Sequence, residues 1–152
     1  MLLKGNVTIH APRKTVWDFL TDPKQIGECA PGVEKLEVVD EMKKYEGVVS
    51  VGLGSVKARF SGTVEILELD EPNRAKLKAH GMATGSVADA ISEMSLSDGP
   101  DNSTNVAWTA DINVSGQLAS LASRLMKPVS QKLAEIFYDE IRKRIESTGT
   151  PT

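Results

Sequence analysis

The stretch from Gln117 to Ser147 restricts the fold more than any other part of the chain. Apolar side chains recur there at Leu118, Leu121, Ala122, Leu125, Val129, Leu133, Ile136, Phe137, Ile141 and Ile145. Three-and-four spacing marks one buried face of an α-helix. About 30 residues at a rise of about 1.5 Å would span roughly 45 Å, more than a small domain needs to cross its own core. Such a helix has to lie across a sheet. Pro128 removes a backbone donor and crowds the preceding turn, so a kink or a division into two helices is expected there. Before it the residues are small (Gly116, Ala119, Ser120, Ala122, Ser123), and beyond it Leu133, Ile136, Phe137 and Ile141 are bulky. Two readings follow: a core helix with an ordinary proline bend, or a thin, hinged lid over a cavity.

Upstream the period changes from three-and-four to two. Leu3, Gly5, Val7 and Ile9 alternate with Lys4, Asn6, Thr8 and His10, the pattern of a half-buried strand. Ala11-Pro12 stops it, and Val16, Trp17, Phe19 and Leu20 then give a short helix with one apolar side. Asp22 reads as the N-cap of a second short helix with Pro23 just inside, ending at the turn Ala30-Pro31-Gly32. Strands are then predicted over Val33–Asp40, Lys44–Leu53, Val56–Ile66, Arg74–Ala83, Val87–Ser97 and Val106–Val114, separated by short turns and one polar loop.

Strands joined by short turns pair antiparallel, with one covered face and one wet face. A single helix cannot shield both faces of seven strands, so the sheet must curl around it. The expected class is α+β, a helix-grip: a seven-stranded curved antiparallel sheet wrapped around a long C-terminal helix, with two short helices after the first strand. Residues 1–147 form one domain, followed by a polar tail over 148–152.

The wall facing the helix is expected to be small and dry. Gly47, Ala58, Gly62, Ala79, Gly81, Ala88, Ala90 and Ala110 fall on it, and its polar handles are Tyr45, Ser92 and the Trp108 indole N–H. Interiors pack to about 0.74 of their volume, so small side chains on a curved sheet imply unfilled space unless bulky neighbours close it. The candidate ligand-binding residues are Tyr45, Val49, Val51, Phe60, Leu77, Met94, Trp108 and Ile112 as floor and walls, with Leu121, Ala122, Leu125 and Phe137 as roof. That lining suits an apolar ligand held by one or two directional contacts.

The opposite face carries Lys57, Arg59, Arg74, Lys76, Lys78 and His80. They form either a basic patch for an anionic surface or, if hairpin register sets Lys76 against Glu93 and His80 against Asp89, a charge-balanced face. The second reading is preferred. A net charge of −3 argues against a nucleic-acid binder. Cys29 is the one cysteine, which excludes an internal disulfide and fits a reducing cytoplasm. No run approaches the 18 or more apolar residues of a membrane span. His10 and His80 both fall on polar strand faces, away from Cys29, and no phosphate, dinucleotide or zinc motif is present. No catalytic residue or metal ligand is therefore assigned.

Three stretches together carry a family pattern: Ala11-Pro12-Arg13-Lys14-Thr15-Val16-Trp17-Asp18-Phe19-Leu20-Thr21-Asp22-Pro23, then Ala30-Pro31-Gly32-Val33-Glu34, then Gly54-Ser55-Val56-Lys57-Ala58-Arg59-Phe60-Ser61-Gly62, with Phe137 in the last helix. They resemble the carbon monoxide dehydrogenase subunit family CoxG, in the START and birch-pollen-allergen-like superfamily. The resemblance runs from about Leu3 to Ile145. It implies a hydrophobic cavity under the C-terminal helix and an accessory role beside molybdenum hydroxylases, in membrane recruitment or electron delivery to quinone. The expected partners are a lipophilic small molecule such as an isoprenoid quinone or lipid, a molybdenum hydroxylase complex, the membrane periphery and a second copy of the chain. No covalent cofactor is expected. Two alternatives stay open: a polyketide-cyclase-type enzyme using the same cavity, with Tyr45 as its one inward ionisable group, and a protein-interaction module using the outer face.

Overall fold

A computed structural model describes residues 1–148. The chain runs β1 (Leu2–Ile9), α1 (Arg13–Leu20), α2 (Pro23–Cys29), β2 (Val33–Asp40), β3 (Lys44–Leu53), β4 (Val56–Asp70), β5 (Arg74–Ala83), β6 (Ser86–Asp98), a 3-10 turn (Pro100–Asn102), β7 (Thr104–Gly116) and α3 (Ala119–Thr148). The seven strands form one antiparallel sheet in the order β1-β7-β6-β5-β4-β3-β2. Consecutive strands from β2 to β7 are neighbours, as short turns require, and β1 closes the other edge against β7. The fold is the helix-grip expected from the sequence.

Local chemistry explains the punctuation. Asp22 caps α2 by accepting a hydrogen bond from the Lys24 backbone N–H at 3.0 Å. At the Pro31-Gly32 turn, Gly32 adopts φ +84°, and a Cβ there would lie 2.2 Å from the Ser50 carbonyl oxygen, so no other residue fits. Strands β4, β6 and β7 run longer than their alternation indicated. In β4 a bulge between Ile66 and Glu68 lets pairing with β5 resume at Glu68–Lys76. The bulge breaks the period of two, which hides the strand's last residues from pattern reading.

Of the two outcomes expected at Pro128, a kink or a division, the division does not occur: α3 continues through the proline as a single helix. Thr148, assigned to the polar tail from the sequence, ends the helix; the rest of that tail lies outside the described residues.

Two apolar clusters hold the layers together. The larger joins Ile9 and Ala11 to Val16, Trp17 and Leu20 of α1, Cys29 of α2, Ala75, Leu96 and Val106 of the sheet, and Ile141 and Ile145 of α3. The smaller packs Ala122 and Met126 of α3 on Leu53, with Val51, Val114, Leu121, Leu125 and Val129 around them.

Candidate functional site

Helix α3 thus buries side chains at both ends and packs less closely between them. From Lys127 to Glu140 none of its residues is buried, although Val129, Leu133, Ala134, Phe137 and Tyr138 are partly covered. Its nearest strands are β1, β3 and β7. Strand alternation places Leu77, Ala79 and Gly81 of β5, Ala88 and Ala90 of β6, and Ala110 and Ile112 of β7 toward the helix, and each is partly exposed. Register sets Ala79 beside Ala90, and Ala90 beside Ile112, so small side chains line up across three strands.

The candidate residues read from the sequence divide between the ends and this middle. Tyr45, Phe60 and Ala122 are buried, at 9%, 8% and 3% exposure. Val51, Leu121, Ala122 and Leu125 meet in the smaller cluster, whereas Met94 and Phe137 lie against the larger one. Val49, opposite Phe60 in the ladder, and Leu77, Trp108 and Ile112 are partly exposed. The small-residue half of α3, read as a thin roof, is where the helix packs on Leu53. Beside it a space of about 170 Å³ remains between Ala122 and Met126 on one side and Ile112 and Val114 on the other.

A larger space, about 480 Å³, opens between β1 and the middle of α3. Gly5, Val7, Trp108, Ala134 and Tyr138 line it, with Lys4, Asn6, Gln131, Glu135 and Asp139 around them. Trp108 pairs with Gly5 in the ladder, and its indole lies across that glycine: a Cβ on Gly5 would meet three indole atoms at 2.7 Å. The indole and the Tyr138 ring are nearly parallel, 20° apart with centroids at 6.5 Å, and Phe137 meets Tyr138 edge-on at 5.0 Å. Burial pushes the Tyr138 phenol well above the ordinary tyrosine range.

Gly5 and Tyr138 escaped the sequence reading. Ile136, placed on the buried face by spacing, is 44% exposed, and Tyr138 takes that side of the helix instead. The signal was present: Tyr138 stands three and seven residues before Ile141 and Ile145, the two fully buried positions.

The outer face is charge-balanced. Lys76 stands opposite Glu93 and His80 opposite Asp89, as the hairpin register required, with His80 Nδ1 2.6 Å from the Asp89 carboxylate. Arg74 binds Glu68 at 2.8 Å and Glu93 at 2.5 Å, and Arg59 donates to Glu34 at 3.0 Å. Burial raises the Cys29 thiol and the Tyr45 phenol, so both are held protonated near neutral pH. Among the described residues no group of three or more His, Cys, Asp or Glu side chains could hold a metal ion. No helix of the described residues is long and apolar enough to cross a membrane.

Solved structures repeat this architecture. A conserved protein from Geobacillus kaustophilus superposes with a TM-score of 0.89 at 24% identity, covering 97% of both chains. The Zhui aromatase/cyclase from Streptomyces sp. R1128 gives 0.75 at 15% identity, over 99% of this chain and 96% of that one. A START superfamily protein from Mycobacterium smegmatis gives 0.72 at 11% identity, over 97% and 98%. At these identities the likeness establishes the fold alone. Comparison with curated proteins returned no match. The model of the carbon monoxide dehydrogenase subunit family CoxG matches residues 5–146, from the glycine under the Trp108 indole to the last turns of α3. The chain belongs to the CoxG family of carbon monoxide dehydrogenase subunits.

Proposed function

We propose that this chain is a non-catalytic carrier of a lipophilic small molecule, an isoprenoid quinone or a lipid of similar length, held between the middle of α3 and the sheet. One observation carries the reading. Apolar side chains of α3 and a row of alanines on β5, β6 and β7 face each other without burying one another, between two ends that do pack. Leaving such surface uncovered forfeits about 25 cal/mol per Å², a loss that an apolar guest would recover. Membership of the CoxG family points to the setting: an accessory to a molybdenum hydroxylase of the carbon monoxide dehydrogenase type, serving membrane recruitment or electron delivery. Burial holds the phenols of Tyr45 and Tyr138 protonated near neutral pH, which favours carriage over acid–base chemistry by either group.

The test is to extract the purified protein with organic solvent and analyse the extract by mass spectrometry, alongside titration of the emptied protein with menaquinone. The reading expects an apolar molecule in the extract, or saturable uptake of menaquinone at one molecule per chain. Protein that yields none and takes up none would end it.

A further inference from the structure

We propose that the free edge of β2 is a dimerisation site, at which two copies of the chain pair their β2 strands antiparallel about a two-fold axis at Leu36. Strand β2 ends the sheet, and among the described residues no strand pairs its outer edge. Such an edge leaves alternate backbone N–H and C=O groups without a ladder partner and templates pairing with another chain. Over residues 34–40 no side chain is buried, and Val38 and Val39 are half exposed. Bulges at Val33/Lys35 and Val38/Asp40 bound a regular stretch over residues 35–38. Within it Lys35 and Glu37 point to the outer face, Leu36 and Val38 to the inner one.

Charge selects the register. Opposed side chains of an antiparallel pair share a face, so the axis of a β2–β2 pair must fall at one residue of this stretch. Centred on Lys35, the pair sets lysine against lysine; centred on Glu37, it sets glutamate against glutamate. Centred on Val38, it runs into the second bulge. Centred on Leu36, it sets Lys35 of each copy against Glu37 of the other and brings the two Leu36 side chains together on the inner face. The same register eases a conflict inside each chain. Glu37 stands directly opposite Glu46 of β3, both are exposed, and like charges so placed repel. Lys35 lies 3.4 Å from Glu37 along its own strand, and a second copy would add its lysine on the far side of Glu37 from Glu46. The other sheet edge, β1, offers no such match: its wet face carries Lys4, Asn6 and Thr8, and α3 lies beside it. An isologous contact closes on itself, so association stops at two copies. One short strand per copy buries less than about 1,200 Å², the range of weak and transient interfaces. Dimerisation at this edge does not depend on the carried ligand, because α3 takes no part in it.

Sedimentation velocity on the full chain at about 5–500 µM should show a reversible monomer–dimer equilibrium, half complete at tens of micromolar. Lys35→Glu and Glu37→Lys each set like charges opposite one another at both positions, and each should weaken dimerisation about tenfold while leaving the circular dichroism spectrum unchanged. An equimolar mixture of the two variants restores opposite charges at both positions and should dimerise within about threefold of the unaltered chain. A chain that stays monomeric throughout the range would overturn the proposal. Single variants that dimerise as well as the unaltered chain would overturn it too, as would a mixture that associates no better than its two components. Trimers and larger species would replace the two-fold contact with a head-to-tail one and overturn it equally.

Discussion

Replacing Ala90 with leucine decides whether the middle of the grip is open, because open and filled cores respond with opposite sign. Ala90 lies at the centre of the inward face, flanked by Ala79 on β5 and Ile112 on β7, and is partly exposed. A leucine adds three carbons. Fully buried, each contributes about 0.8 kcal/mol, so complete coverage would stabilise by about 2.4 kcal/mol. The neighbours are themselves partly exposed, and half coverage leaves about 1 kcal/mol in favour of the variant. For a domain of this size that raises Tm by about 2–4 °C. A site already filled by protein would respond the other way, since overpacking costs about 1–3 kcal/mol. Thermal unfolding followed by circular dichroism reads the sign, and the emptied variant should also take up menaquinone severalfold more weakly. A fall in Tm of several degrees would refute the open middle.

Pro128 offers a second sign test. The helix is continuous there, so Pro128→Ala restores one intrahelical hydrogen bond and should stabilise by about 1–3 kcal/mol in a denaturant titration; destabilisation would mean that the seating of α3 depends on the proline. Tyr138 has a folded-state pKa raised by burial, so its contribution to stability is complete below the unfolded value of about 10 and lost as pH rises beyond it. Tyr138→Phe should therefore flatten the decline of Tm between about pH 10 and 11.5, and an unchanged slope would contradict that burial. Glu34 is the reverse case. The Ser50 hydroxyl, and then Arg59, hold its carboxyl below the usual range, giving stability that is present above the unfolded value of about 4.3 and lost as pH falls through the folded one. Glu34→Gln should shift Tm less than the original chain does between about pH 5 and 3, and equal acid profiles would show that the cross-strand pair contributes nothing.

Alternation and turn chemistry were legible because they are local. The bounds of β2, β3 and β5 coincide with runs closed by Pro31-Gly32, Gly52-Leu53-Gly54 and Asn73. The pairing of Lys76 with Glu93 followed from hairpin register alone. What stayed hidden depends on partners far apart in the chain. Nothing near Gly5 indicates that an indole from β7 will lie on it. Ile136 and Tyr138 are both admissible on spacing, and only the rotation of α3 against β1 and β7 settles which of them turns inward. The small inward residues do not by themselves say where along the helix the protein's own side chains fill the gap. Ala122 is small, yet a small residue also lets a helix approach closely, and here Leu53 and Met126 close over it.

The unequal size of the two apolar clusters determines which end of α3 yields first. The larger fixes Ile141 and Ile145, both fully buried, with side chains from β1, α1, α2, β5, β6 and β7. The smaller buries three residues, Leu53, Ala122 and Met126. Lifting the first half of the helix therefore uncovers far less apolar surface than lifting the second, at about 25 cal/mol per Å². A guest entering between helix and sheet would displace the first half while the second stays anchored, and this asymmetry does not require a hinge at Pro128. Backbone amides of residues 122–127 should exchange with deuterium at least tenfold faster than those of 138–145, and menaquinone should slow the first group selectively. Equal protection of the two segments would mean that the ends open together, and the entry route would have to lie through the groove beside Gly5 and Trp108 instead.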